Sequence, residues 1–195
     1  MEILEETMTF ALDAFGDQAR KGSLKLPAFW HSCDVAAILA QAGITDAGTL
    51  QLAYLHDILE DTSTTVEKSK RWPHEEHLLH AGEKLIVSPS IIEGIRQLTN
   101  PSHMSQEDRK AVELMMATRL IRKAARVRVA DKVSNVRSLL FDRPEGWTKH
   151  RALEYVKWAD EVISACAERV DSAHLLMIAN ETIKTANKEV SAWEK

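Results

Sequence analysis

The 195-residue chain has little of what sheets, staples and membrane spans require. Only 7 glycines and 5 prolines punctuate it, and aromatic residues make up 6%. With Leu, Ala, Glu and Lys plentiful, that composition disfavours a sheet-rich fold and favours helices. The two cysteines, Cys33 and Cys166, lie far apart in apolar surroundings. This excludes a disulfide framework and marks small core residues in a reducing compartment. No stretch approaches the roughly 20 apolar residues of a membrane-spanning helix. The acidic, amphipathic start MEILEETMTFALDAF is not a signal peptide. Nor is there a large excess of one charge: a formal net charge of −4 predicts no general affinity for nucleic acid or anionic membranes. The expectation is one soluble, cytoplasmic domain over 1–195, long enough to bury a core unaided.

The periodicity of apolar residues predicts an all-α globule. A first helix is expected over residues 3–20, followed by the loop KGSLKLP. A second runs from near Ser32 to Gly43, with Val35, Ile38, Leu39 and Ala42 on one face. Asp46 is a natural N-cap for the third helix. That helix continues through LAYLHDILED until Thr62 to Thr65 break it and cap a short following helix. The charged stretch HEEHLLHAGEKL predicts another short helix, and Ser88-Pro89 restarts the helical pattern up to Leu98. Further helical patterning spans 105–140 with one break near Thr118. A turn at Arg143-Pro144-Glu145-Gly146 leads to two final amphipathic helices, over roughly 148–170 and 172–190.

The informative stretch is LHDILEDTSTT (55–65), where His56, Asp57, Glu60 and Asp61 adjoin an apolar run. Charges are rarely placed beside a core unless they are paired or hold a metal. On a helix, residues four apart share a face, so His56 lies over Glu60 and Asp57 over Asp61. Two more residues can complete a metal site: His31, after Phe29-Trp30, and Asp131, in the apolar helix RVRVADKVSNVRSL. Two imidazoles and two carboxylates suit Mn²⁺, Fe²⁺ or Zn²⁺ and point away from Ca²⁺. The alternative is structural: a salt bridge from Asp131 to a nearby Lys or Arg, and hydrogen-bonded core histidines.

The order H…HD…D is that of the HD-domain phosphohydrolases, and the likeness goes further. Arg20-Lys21, His31, AGITD (42–46), LHDILEDTSTT, VADKVSN (129–135) and GWTKHRALEYVKWA (146–159) together resemble the hydrolase domain of the Rel/SpoT alarmone enzymes. The similarity is greatest to the small stand-alone members, the metazoan SpoT homologue and its bacterial counterparts. It implies that His31, His56, Asp57 and Asp131 carry a metal, usually Mn²⁺, and that Glu60 and Asp61 are the acid/base pair handling the attacking water. By the same resemblance Arg20 and Lys21 hold base and phosphates, Asn135 contacts the ribose or 3′-phosphate, and Trp147, Arg151 and Tyr155 lie near the ligand. The implied activity is removal of pyrophosphate from the 3′ position of ppGpp or pppGpp. The same fold also admits ppApp or NADPH as substrate, a general HD nucleotidase, or a nucleotide-binding module with idle chemistry. Nothing resembling an alarmone synthetase or regulatory domain follows, so hydrolysis without an opposing activity is expected.

Some signals stand outside that pattern. His74, His77 and His80 form HxxHxxH within a segment, about 70–87, that replaces a short link of the family. An ordinary amphipathic helix is expected there, serving as a homo-oligomer contact or a neutral surface addition. The basic run Arg119, Arg122, Lys123, Arg126 and Arg128 predicts a solvated helix face, with one member free to reach phosphates. The family's P-Y-I-x-H becomes Pro27-Ala28-Phe29-Trp30-His31, which alters the pocket wall. Gln106 stands where some stand-alone members carry lysine.

Overall fold

A computed structural model describes residues 2–68, 76–101 and 104–194. The elements run α1 (Glu2–Phe15), α2 (Ala28–Gln41), α3 (Ala47–Leu55), α4 (Ile58–Asp61), β1 (Thr65–Lys68), β2 (Glu76–His80), β3 (Glu83–Ile86), α5 (Pro89–Leu98), α6 (Gln106–Ala117), α7 (Arg122–Phe141), α8 (Lys149–Cys166) and α9 (Ala173–Ser191). Local chemistry sets several boundaries. The side chains of Asp46, Ser105, Thr148 and Ser172 each accept a backbone N–H three residues on, capping α3, α6, α8 and α9. Pro89 opens α5, where its missing N–H costs nothing.

Helix α7 is the axis of the fold. It packs against α2, α3, α5, α8 and α9, and its buried positions go round the whole helix, from Ala124 and Val127 to Val133, Val136 and Leu139. A helix surrounded on all sides must bury its polar residues too, so Arg128, Asp131, Lys132 and Ser134 lie inside. This corrects the solvated-face reading for Arg128. Arg126 keeps that character, pairing with Asp171 and Asp46 at the surface. Of the cysteines, Cys166 is fully buried and Cys33 half-buried.

Among the described residues the fold is helical apart from one small antiparallel sheet, ordered β1-β2-β3. Here two expectations fail. The residues after Thr64 form strand β1 instead of a capped helix, and HLLH with its flanks forms a hairpin. Thr65 pairs with Leu79, His77 with Ile86 and His80 with Glu83. The hairpin turns on Ala81 (φ 48°) and Gly82 (φ 91°), both left-handed as a two-residue type I′ turn demands. Leu78 and Leu85 face the core. His77 and His80 are an odd number apart on one strand and point to opposite faces, so they share no metal site. Trp72-Pro73, His74 and the start of the inserted segment lie outside the described residues.

The candidate metal centre and its two cavities

Helix α3 stops at Leu55, and His56 and Asp57 form the joint between it and α4. The expected continuous helix is therefore interrupted at the HD pair. Asp57 adopts φ −98°, ψ 2°, the bridge region common in active sites. Its carbonyl still accepts from Glu60 N at 3.0 Å and Asp61 N at 2.9 Å, so one helical turn survives beyond the joint. The break turns the His56 and Asp57 side chains toward His31, in the first turn of α2, and α7.

His31 Nε2, His56 Nε2 and an Asp57 oxygen form a group of donors within 4.8 Å of one another. The imidazole rings meet edge to face at 5.2 Å. His56 Nδ1 donates to the Ala53 carbonyl at 2.8 Å, which leaves the lone pair of the neutral ring on Nε2. That nitrogen is buried and makes no hydrogen bond. Asp57 Oδ2 lies only 3.1 Å away but off the line a hydrogen bond requires. His31 is held in the same manner, with Nδ1 against Ser134 Oγ at 3.0 Å and Nε2 3.1 Å from Asp131 Oδ1. Two buried imidazole nitrogens thus face two carboxylates, an arrangement that needs a cation or a proton at its centre. Burial pulls His31 below the usual imidazole range. Burial also opposes the charged form of His56, yet Asp57 outweighs it and pushes His56 up to about 9. Nitrogen and carboxylate donors whose far ring nitrogens are anchored to Ser134 and a backbone carbonyl fit a divalent transition metal.

Asp131 stands beside this group, its two oxygens divided. Oδ1 faces His31 and accepts from Asn135 Nδ2, while Oδ2 lies 3.0 Å from Lys132 Nζ. The Asp131 carboxyl is held well below its usual range: burial alone would raise it, but Lys132 and His31 prevail. Asp131 thus makes the salt bridge of the structural alternative through one oxygen and turns the other toward His31.

His31 and Asp57 open on a cavity of about 380 Å³ lined also by Gln18, Arg20, Lys21, Ala28, Asp61 and Asn135, among others. Asp61 is open to solvent at the rim, while its carboxyl is partly desolvated beside two other carboxylates. That burial, then Asp57 and Glu60, pushes it up to about 6. Glu60 is turned aside: its Oε2 accepts the backbone N–H of Asn100 at 3.0 Å and its Oε1 lies 3.4 Å from Arg109 Nη1. Lys21 also lines a second cavity of about 560 Å³, with Met104, Gln106, Arg109, Pro144, Glu145, Trp147 and Arg151. There the Arg151 guanidinium stacks 4.7 Å over the Trp147 ring. Tyr155 supports that ring from behind, between Trp147 and Trp158.

Known proteins can now be set beside this geometry. No family model matches the chain. It is 36% identical over 162 residues to guanosine-3′,5′-bis(diphosphate) 3′-pyrophosphohydrolase MESH1 of Xenopus tropicalis, which spans 83% of each chain. The human protein of the same name is 34% identical over 161 residues, 82% of each. The chain belongs to the MESH1 family. The guanosine-3′,5′-bis(diphosphate) 3′-pyrophosphohydrolase of Aquifex aeolicus is 29% identical over 144 residues, but these make up only 19% of that longer protein. A solved structure, of a metazoan orthologue of SpoT that hydrolyses ppGpp and plays a role in starvation responses, superposes with a TM-score of 0.77. It is 26% identical and is covered over 96% of its length, with 95% of this chain.

Within this MESH1-family fold ten of the twelve residues named from sequence fall into three places, while Glu60 and Tyr155 line neither cavity. His31, His56, Asp57 and Asp131 gather at the centre; Arg20, Lys21, Asn135 and Asp61 wall the first cavity; Trp147 and Arg151 line the second. The altered wall beside His31 enters the cavity through Ala28, because Phe29 is buried against Phe15 and Tyr54 while Trp30 lies outside against Phe141.

Sequence reasoning missed Asp142, whose Oδ1 accepts from Ser23 Oγ at 3.0 Å and Leu24 N at 2.8 Å, pinning the loop that carries Arg20 and Lys21. Gly22 permits this approach, since a Cβ there would sit 1.8 Å from Asp142 Oδ2. Only the glycine in KGSLKLP hinted at it. Gly22→Ala is expected to displace Asp142 and loosen the loop, raising KM for a phosphorylated substrate several-fold with kcat nearly unchanged. Steady-state kinetics with intact metal affinity checks this; an unchanged KM would count against the loop's role.

Proposed function

We propose that the chain hydrolyses ppGpp and pppGpp to GDP and GTP, releasing the 3′ substituent as pyrophosphate, in a divalent-metal-dependent reaction with Mn²⁺ as the cation. The reading is carried by one observation: His31 and Asp57 of the His31–His56–Asp57 group open on a cavity walled by Arg20 and Lys21, and Lys21 joins it to a second, cationic cavity. A ligand with phosphates at two positions needs cations at separated points, which this layout supplies. The family membership and the activity for which the MESH1 relatives are named support the same reading.

His31, His56, Asp57 and Asp131 would hold the metal. When bound, a divalent cation supplies Lewis acidity toward a phosphoryl oxygen and toward water. Asp61, with its carboxyl pushed up to about 6, is suited to exchange a proton near neutral pH. Glu60, oriented by Asn100 and Arg109, would fix and deprotonate the attacking water with it. The water oxygen bonds to the phosphorus attached to O3′, the bond from that phosphorus to O3′ breaks, and O3′ leaves with a proton as the ribose hydroxyl. Arg20 and Lys21 would offset phosphate charge, Asn135 would contact the ribose or 3′-phosphate, and Trp147, Arg151 and Tyr155 would form the wall near the nucleoside. The proposed setting is the cytoplasm.

The deciding assay supplies Mn²⁺ and compares ppGpp, pppGpp, ppApp and NADPH, reading pyrophosphate and orthophosphate separately. Pyrophosphate from the guanosine alarmones, abolished by a chelator and restored by Mn²⁺, is the expected result. Orthophosphate alone, from NADPH, would replace the substrate assignment. Binding of ppGpp without turnover would replace the enzyme assignment.

A further inference from the structure

Glu113 lies on α6 and has no place in the donor group or the acid/base pair, yet its carboxylate is 11% exposed and saturated with donors. Oε2 takes Lys132 Nζ at 2.9 Å and Arg128 Nη1 at 3.0 Å; Oε1 takes Asn100 Nδ2 at 3.0 Å. Arg128 also donates to the Leu98 carbonyl at 3.0 Å, tying the end of α5 into the cluster. Burial disfavours the Glu113 carboxylate, but Lys132 and Arg128 outweigh it and hold the group below the usual range.

Each end of this carboxylate leads to the reaction centre. On one side Lys132 bridges Glu113 and Asp131 Oδ2, opposite the Oδ1 that faces His31. On the other side Asn100 reaches two ways, its side chain to Glu113 and its backbone N–H to Glu60 Oε2. The charges balance: Arg128 and Lys132 against Glu113 and Asp131. Without Glu113, the buried Lys132 ammonium would have Asp131 and the Trp158 ring, 4.5 Å away, as its near neighbours. It would then compete with a cation for Asp131.

We propose that Glu113 is a positioning residue, sharing Lys132 so that Asp131 stays available to the metal and fixing Asn100 so that Glu60 keeps its orientation. This rests on the reading of the centre given above, and it assigns to α6 a role that no residue pattern in that helix announces.

The test is Glu113→Gln in the whole chain, with circular dichroism to confirm folding. Mn²⁺ alone is titrated calorimetrically without nucleotide, and kcat and KM for ppGpp are measured in wild-type and Glu60→Gln backgrounds. Mn²⁺ affinity is expected to fall by about 10- to 100-fold, the usual effect of removing a residue that orients a ligand. In saturating Mn²⁺, kcat is expected to fall with KM within about threefold, and to fall no further where Glu60 is already Gln, because residues acting through one group are not additive. Unchanged Mn²⁺ affinity, or losses that multiply in the double variant, overturns the proposal. If Glu113→Gln does not fold, Asn100→Ala removes the side-chain link from Asn100 to Glu113 and leaves the backbone N–H on Glu60 and the Lys132 contact in place: lower kcat with Mn²⁺ affinity intact supports the proposal, and unchanged kcat overturns it. Should the wild type release no pyrophosphate from ppGpp, the substrate assignment fails by itself, while the Mn²⁺ titration still decides whether Glu113 governs Asp131.

Discussion

His56→Ala is expected to remove divalent-metal binding and to lower turnover by on the order of 10³-fold or more. His56 is 2% exposed and is committed through Nδ1 to the Ala53 carbonyl, so Nε2 carries the free lone pair of the neutral ring. It is a buried nitrogen that makes no hydrogen bond among the described residues, and it stands among the donors of His31 and Asp57. Loss of one of so few donors weakens the site, and Lewis-acid stabilisation is worth several kcal/mol, each 1.36 kcal/mol being tenfold in rate. A second readout separates metal from fold. A metal present at about 100 times its Kd stabilises the folded state by about 2.7 kcal/mol, so Mn²⁺ raises the wild-type melting temperature measurably. In His56→Ala that shift should vanish, while the metal-free melting temperature changes much less. A variant that keeps both the Mn²⁺-dependent shift and turnover within tenfold of wild type would refute the metal assignment.

Glu60→Gln is expected to leave substrate and metal binding almost intact and to reduce kcat by about 10²- to 10⁴-fold, the range for loss of a positioned acid or base. The amide keeps the size of the side chain and an oxygen that can accept the Asn100 N–H, now 3.0 Å from Oε2. What it loses is the capacity to take a proton from water. Because Glu60 does not belong to the His31–His56–Asp57 group, Mn²⁺ affinity should change little. A fall in kcat with constant KM and metal affinity identifies an interaction made in the transition state. An equal loss of metal affinity would move Glu60 into the metal set instead. Asp61→Asn should also lower kcat, and at the cavity rim it should raise KM more than Glu60→Gln does.

Much of this centre could be read before folding was considered, and the reason is local. His56, Asp57, Glu60 and Asp61 occupy six consecutive residues, so their proximity needs only one turn of backbone. The i, i+4 argument nearly holds despite the break at Asp57, because the Asp57 carbonyl still closes a helical turn onto Glu60 and Asp61. Asn135, one turn after Asp131, donates to its Oδ1, a contact that helical spacing also makes local. The hairpin was hidden because its turn, Ala81-Gly82, lacks the Asn-Gly or Asp-Gly pair that signals type I′ geometry. Its strands also lack clean alternation of apolar and polar residues. Arg128 looked like part of a solvated basic face, since helical spacing cannot reveal that a helix is enclosed on every side.

By itself the sequence determined the helical character of the chain, the Asp46 cap of α3 and the candidate donors later found grouped, His31, His56 and Asp57, from composition, spacing and motif order. Tertiary structure decided which oxygen or nitrogen of each donor faces inward, how Glu60 and Asp61 part company, and which remote groups hold them. Glu113, Asn100, Ser134 and Asp142 act across 13 to 119 residues of chain. A buried charge is tolerable only when partners surround it in three dimensions, and those partners are chosen by how helices pack rather than by how they are spelled.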